Sequence, residues 1–513
     1  MTHAVVWYKR DLRVDDHEPL VRACERGTAV GLYIYEPTVL HAPEHDPSHL
    51  VFVNDCLREL RAAWRDRGSV LLVHAGKAVD VLDRLYEWLP FDDLWSHEET
   101  GLSGTYARDR AVAAWSRRRG VRWTELPQHG VVRPLPSRDG WSRRWQQRMR
   151  PEPLPAANRI PGPPPEALAA VDEGAIRSPE ALGLAPAARP GMQSGGAAAG
   201  ADLLRTFLTE RGREYQREMS APGPAITSCS RLSPHFAYGS VSIRRAHHAA
   251  RARQAELKGV RGEEATAWRK SISSFEKRLR WHCHFIQKFE DEPELEFRNL
   301  HRGYDGLREE DRTRWTDEDE RRFEAWQTGR TGYPLVDACM RHLEHAGWIN
   351  FRMRAMLVSF ASYHLWLHWK PTAEHLARLF LDFEPGIHYP QVQLQSGVTG
   401  INTVRIYSPI KQAEDQDPDG AFIRAWVPEL AGVKAVYLSR PWAMPPAAQR
   451  AAGCVIGGDY PEPIVDHAAA YGLAKERMYA VRGRSDARAE ARRVYEKHGS
   501  RRRPASRRPS VGG

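Results

Sequence analysis

The stretch SCSRLSPHFAYGS at 228–240 places Ser228, Ser230, Ser233 and Arg231 within six residues, with Pro234 next. Short hydroxyls let phosphate oxygens come close, and the first amides of a helix lack partners. The stretch therefore reads either as a capped helix start or as an anion site. WINFRMR at 348–354 sets Arg352 and Arg354 beside a tryptophan, and DFEPG at 382–386 carries Asp382 and Glu384 two apart. In an extended or turn segment those two carboxylates face the same way. Converging on one site they accept N–H groups of a heterocycle; otherwise they cap a turn, and general acid–base work stays open. Asp337 and Arg341 stand four apart on an expected helix and can pair, for only ~0.3 kcal/mol if exposed. Trp281, Trp315, Trp326, Trp348, Trp366 and Trp369 belong to a chain with 17 tryptophans. Several must be core, and Trp366 and Trp369 are expected to share a helix face. Gln395–Gly420 holds Arg405 and Tyr407 in a polar run with almost no apolar periodicity. Something outside that segment must hold it.

The elements that position these residues change character along the chain. HAVVWY at 3–8, GTAVGLYIY at 27–35, SVLLVHAG at 69–76 and DDLWSHEE at 92–99 are short apolar runs rich in β-formers. Amphipathic stretches at 51–68 and 78–89 separate them. That alternation predicts a parallel sheet with helices on both faces. No GxGxxG follows the first strand, so a dinucleotide bound in the Rossmann manner is unsupported. The reading divides the chain into an α/β domain over 1–132, a connector over 133–200, a helical domain over 201–482 and a basic tail over 483–513. The connector, rich in Pro, Gly, Ala and Arg, is expected to hold little helix and to be partly disordered near Gly195. Three- and four-residue apolar spacing predicts helices over 201–219, 274–291, 333–347, 352–369 and 372–383. The tail reads as a flexible arm ending in Arg501, Arg502, Arg503, Arg507 and Arg508.

The 513 residues suffice for two or three domains, with 42% hydrophobic and 27% charged residues as in soluble globular proteins. A net charge of +10 permits a nucleic acid or an anionic membrane as partner. Six widely spaced cysteines point to a reducing compartment and away from a zinc site. The start, MTHAVVWYKRDLR, carries charges where a signal peptide needs an apolar run, and no stretch approaches a membrane span. A cytoplasmic protein without a metal is expected.

Taken together, the motifs resemble those of the photolyase/cryptochrome flavoproteins over nearly the whole chain. WYKRDLRVDDHEPL at 7–20, SRLSPHFAYGSVSIR at 230–244, WQTGRTGYPLVDACMR at 326–341, GWINFRMR at 347–354 and YP with PIVDH at 460–467 occur in the family's order. The resemblance implies an α/β domain and an all-helical domain that binds FAD. It places Cys229, Ser230, Arg231, Leu232 and Ser233 at the phosphates, and Asn350, Arg354, Asp382 and Glu384 against the rest of the cofactor. His388 falls near flavin N5, where repair enzymes commonly have Asn. A second antenna chromophore, whether folate, deazaflavin or flavin, would sit on the α/β domain near Lys9, Arg10, Asp11, Glu98 and Arg108.

The implied activity is light-driven repair of cyclobutane pyrimidine dimers in damaged DNA by a monomer; the alternative is a blue-light photoreceptor. The implied catalytic set is Arg278, Trp281, His282, Phe351 and His388, with Arg405 and Lys411 on DNA. Several positions depart from the family pattern. Arg278 replaces the Glu that contacts the dimer, His282 replaces an Arg, and Phe351 replaces an Asn. Phe351 and Ala355 also remove the histidine pair of (6-4) enzymes. Val392 replaces the first tryptophan of the electron-transfer chain; Trp369 matches the middle one and Trp315 the outer one. Trp348 or Tyr389 is left as first donor.

Overall fold

The computed structural model describes residues 3–499 apart from Ala170 and Ala188. Five parallel strands form one sheet: β1 His3–Tyr8, β2 Thr28–Tyr35, β3 Leu71–Ala75, β4 Asp93–His97 and β5 Arg122–Leu126, in the order β3-β2-β1-β4-β5. Val5 pairs with Val30 on one side and Leu94 on the other. β1 is buried from Ala4 to Tyr8 because helices cover both faces, which is why it reads as an unbroken apolar run. The helix Pro47–Arg65 begins earlier than its apolar spacing suggests. Asp46 caps it, accepting from the Ser48 amide at 2.9 Å, and Pro47 supplies the preset first residue.

Strand order reverses at β1 and β4, so the loops beyond their carboxyl ends diverge and leave a crevice. Lys9, Arg10 and Asp11 follow β1, and Glu98 and Glu99 follow β4. The KRDLR segment also joins the sheet to the helical domain. Arg10 donates to the carbonyls of Ala237 at 2.8 Å and Phe383 at 2.5 Å, and buried Arg13 donates to Gly239 at 2.8 Å. Gly239 has φ +67°, and a Cβ there would lie 2.3 Å from the Arg10 carbonyl. Only glycine lets these two backbones meet.

Four expectations differ from the structure. The connector is not disordered near Gly195: the Gly195 amide donates to Asp55 at 3.1 Å, and a Cβ there would lie 2.2 Å from the Phe52 carbonyl. It also holds the helix Trp141–Met149, which buries Trp141, Trp145 and Met149. The region after Gly483 is not flexible throughout. Ser485–His498 is a helix that buries Ala487 and Val494 and places Lys497 on Glu292 at 2.5 Å. The arginines from 501 onward lie outside the described residues. Trp366 and Trp369 share no helix face, because Phe351–Ser359 runs into a wider π turn at Phe360–His364 and Trp366 takes φ +58°. Trp369 starts the next helix, Trp369–Leu379. Asp337 and Arg341 do not bond each other. Thr331, Gly332 and Tyr460 donate to buried Asp337, while Arg341 pairs with Glu429 at 2.9 Å.

No helix among the described residues is long and apolar enough to cross a membrane.

Candidate functional site

The site gathers around one ion pair. Arg354, on the helix Phe351–Ser359, meets Asp382 through two parallel bonds of 2.9 and 2.8 Å. A third donor, Nε, goes to the Ile349 carbonyl at 2.8 Å, and the guanidinium lies 4.1 Å from the Phe380 ring centre. This fork geometry fixes both groups. Burial alone would raise the Asp382 pKa. The Arg354 charge, its hydrogen bonds and one from Ser233 overcome that and leave it lowered. Ser233 in turn accepts from Trp348 Nε1 at 3.2 Å, and the Arg231 guanidinium stacks 4.2 Å from the Trp348 ring centre. Arg231, Ser233, Trp348, Arg354 and Asp382 thus form one connected set.

Arg231 is a cation without a carboxylate. Its Nε is buried with no hydrogen-bond partner, and burial pushes its pKa down to about 10. Nearby Asn350 donates to the Met219 and Ser220 carbonyls at 3.1 and 2.9 Å, while its Oδ1 is buried and unpaired. Buried polar atoms are ordinarily satisfied, so these two atoms retain unused capacity for a polar ligand. The helix Ser233–Ala237 has only five residues, so attraction for an anion rests on Arg231 and not on a helix dipole. Ser228 turns away and donates to the Pro224 carbonyl at 3.0 Å. Ser230 accepts from the Leu232 amide at 3.4 Å, and Leu232 is fully buried below the loop.

Arg211 shapes this loop and went unseen in the sequence. It donates to the carbonyls of Thr227, Cys229 and Ser230. Its partners are backbone atoms, so no residue pattern announces them.

Beside the set, the helix Glu263–Asp291 presents Arg278 and Trp281. Arg278 stacks 4.7 Å from the Trp281 ring centre, and its hydrogen bond goes to the Met219 sulfur at 3.8 Å. Trp281 is 45% exposed and Phe351 46%, high for large aromatics. They offer flat faces to a partner from solvent. His282 instead faces inward, near Phe236 and His129, and burial lowers its pKa to about 4. With Glu384, Asp11, Glu98 and His129 it lines a cavity of about 20 Å³ between the domains, room for one water. Glu384 lies 3.5 Å from Arg10, and burial raises its pKa. His388 is neutral, lowered to about 4 by burial, and Nε2 donates to the Ala373 carbonyl at 2.9 Å.

Of the expected electron carriers, Trp369 is fully buried and makes an edge contact with Tyr389 at 6.1 Å. Trp315 packs edge-on to Phe323 at 5.3 Å, and Phe323 stacks on Trp326 at 6.0 Å. Arg405 and Lys411 are exposed, and Lys411 pairs with Asp415 at 3.3 Å. Gln395–Gly420 is held from both ends. Val398 is buried and its carbonyl accepts from the His301 amide at 3.1 Å; the Tyr407 backbone amide donates to Ser359 Oγ at 3.0 Å.

A second, larger cleft of about 480 Å³ opens beyond the ends of β1 and β2. Lys9, Arg10 and Arg108 line it, with Lys370 and Phe383 from the helical domain. Asp11 and Glu98 face the small cavity instead. The volume suits an aromatic small molecule. Among the described residues, Asp11, His17 and His97 bring three possible metal-ligand atoms within 4.8 Å. Asp11 Oδ2 already lies 2.8 and 2.6 Å from the two histidines, so hydrogen bonds satisfy it without an ion.

The site thus holds a half-buried Arg231 without a carboxylate beside a bidentate Arg–Asp pair, in a helical domain docked on a parallel sheet. Residues 4–152 match the family profile described as DNA photolyase, and 275–480 match the FAD binding domain of DNA photolyase. A cryptochrome DASH from Gloeobacter violaceus is 31% identical, over 90% of this chain and 93% of its own. A deoxyribodipyrimidine photo-lyase from Streptomyces griseus is also 31% identical, over 92% and 98%. A class III photolyase structure from Agrobacterium tumefaciens superposes with a TM-score of 0.81 at 25% identity, over 94% and 98%. The chain belongs to the photolyase/cryptochrome family.

Proposed function

We propose that the protein is a light-driven lyase that splits cyclobutane pyrimidine dimers in DNA, working as a monomer in the cytoplasm. The observation that carries this reading is the Arg354–Asp382 pair beside Arg231, whose buried Nε has no acceptor, with half-exposed Trp281 and Phe351 on the same domain. When bound, FAD supplies a photo-excited electron donor. Arg231 and the Cys229–Ser233 loop hold its phosphates, and Asn350, Arg354 and Asp382 hold its heterocycles. Glu384 and His388 line the inner side. The cleft bearing Lys9, Arg10 and Arg108 takes an antenna chromophore.

An extruded dimer stacks on Trp281 and Phe351, and Arg278 provides positive charge where negative charge develops on the dimer. Arg278 is therefore compatible with repair although it stands where the family has Glu. Six free cysteines agree with a reducing compartment.

The alternative, a blue-light photoreceptor, draws on Arg278, Phe351 and His388. One experiment separates them. Chemically reduced protein is mixed with oligonucleotides carrying a defined cyclobutane or (6-4) lesion, under blue light and in the dark. Restored thymines only in the light, and only from the cyclobutane lesion, are expected. Reduced, DNA-bound protein that leaves both lesions intact would leave the photoreceptor as the better account.

DNA lies along Arg405 and Lys411, with phosphate contacts dominating. Affinity should fall as salt rises, because bound counterions are released. Replacing both residues with Ala should lower the slope of log affinity against log salt by roughly 2. A binding constant indifferent to salt would remove this surface from the account.

A further inference from the structure

Tyr389 lies on the helix Pro385–Gln395, one residue after His388 and three before Val392. It is fully buried, yet its hydroxyl is not idle. It donates to the carboxylate of Glu44, which reaches it from the α/β domain, 345 residues away in sequence. Glu44 is itself 4% exposed. Lys370 stands over the pair, 3.4 Å from the phenol oxygen and 4.0 Å from the carboxylate, and is anchored on Glu374 at 2.8 Å. The Tyr389 ring meets Trp369 edge-on at 6.1 Å, stacks on Phe289 at 6.2 Å and touches the His388 ring at 5.5 Å. Val392 occupies the same helix face and has no electron to give.

We propose that Tyr389 and Glu44 form a redox pair in which the phenol gives up one electron while its hydroxyl proton passes to the Glu44 carboxylate. The O–H bond of Tyr389 breaks, an O–H bond forms on Glu44, and a neutral tyrosyl radical is left. The electron goes to a light-excited oxidised isoalloxazine, so the inference rests on the FAD reading above. Tyr389 then stands in for the tryptophan that Val392 displaces, with Trp369 in contact behind it.

The chemistry explains why both partners are needed. A phenol that loses an electron becomes a strong acid. In a dry site the proton must go to a base already in hydrogen-bond contact, or an uncompensated positive charge is buried. Glu44 is that base. Burial, followed by the Glu44 charge, holds the phenol pKa well above its ordinary value, so Tyr389 carries its proton before light arrives. A merely structural Tyr–Glu bridge between domains would influence stability and leave photochemistry untouched.

The test uses FAD-loaded full-length protein, in the oxidised state, with bound flavin quantified by absorbance before any flash. Failure of the FAD reading is thus scored separately from failure of the pair. Time-resolved absorption and electron paramagnetic resonance then identify the radical. A neutral tyrosyl radical is expected in the unaltered protein, formed more slowly in deuterated water. Tyr389→Phe should abolish it. Glu44→Gln keeps a hydrogen-bond acceptor but not the basicity, and should lower the radical yield about a hundredfold. Tyrosyl radical persisting in Tyr389→Phe, full yield in Glu44→Gln, or a tryptophanyl radical alone in the unaltered protein would overturn the proposal. Should either variant fail to fold, the unaltered protein still decides: tyrosyl formation with no solvent isotope effect also overturns it.

Discussion

Arg354→Met protein is expected to bind FAD on the order of a hundred- to a thousandfold more weakly than the parent, and to leave purification largely without flavin. The pair it breaks is bidentate, and the Asp382 side chain is only 5% exposed. Removing one partner of a buried ion pair leaves the other uncompensated, at a cost of about 3–5 kcal/mol. Asp382 would then lose the charge that keeps its pKa low, and burial would drive it toward the neutral acid. The consequence spreads, because Ser233 bridges Asp382 to Trp348 and Trp348 carries Arg231. Asp382→Asn attacks the same pair from the other side and should lose flavin to a similar degree. Flavin released on denaturation, per mole of protein, measures the effect. Parental flavin content in folded Arg354→Met protein would show that the pair does not hold the cofactor.

The sheet was legible where its physics is local. β1 to β4 announce themselves as apolar runs because both faces are covered. β5, RWTEL, does not, since it lies at the sheet edge and none of its residues is fully buried. The helical domain was legible from its spacing except where backbone geometry departs from the α-helix. Nothing local foretells the π turn at Phe360–His364 or the left-handed Trp366, so two tryptophans seemed to share a face. Asp337 and Arg341 have the right spacing, but a buried carboxylate takes the donors that fold around it, and Thr331 and Tyr460 arrive first.

The site is the least local part. Arg354 and Asp382 stand 28 residues apart, and each alone fits an ordinary helix or turn. Their partnership could be read only through the resemblance. Glu44 and Tyr389 lie in different domains, and Glu44 has no signature of its own. The tail shows the opposite error: three buried residues, Ala487, Val494 and His498, suffice to dock a helix whose other positions are mostly charged.

Acid should destabilise this protein early, well above the pH at which carboxylates titrate. Burial lowers the pKa of His235 and His388 to about 4, and of His364 and His368 to about 3. All four are buried in the fold. In the unfolded chain the same side chains take up protons near ~6.5. A depressed folded-state pKa means that the unfolded chain binds more protons as pH falls below ~6.5. The stabilisation is complete above that value and is lost on the way down toward the folded-state values. Each group contributes a slope of ~1.4 kcal/mol per pH unit within its window, so over one pH unit four together approach ~5.5 kcal/mol. That rivals the whole stability of an ordinary domain, about 5–15 kcal/mol. Asp337 and Glu384 act in the opposite sense, since burial raises their folded-state pKa and they bind protons more readily than the unfolded chain. Burial raises Glu36, Glu98, Glu125, Glu276, Asp291, Glu296 and Asp417 in the same way, and it lowers further histidines, among them His49, His97, His284, His342 and His375, which add to the loss. Urea unfolding between about pH 7.5 and about pH 5 should therefore show the midpoint falling steeply, with uptake of several protons on unfolding. Replacing His364, whose ring stacks on Phe360 and His467, with Gln should flatten the slope by about one proton. A midpoint that stays level over this range would mean that these histidines are charged in the fold or reached by solvent.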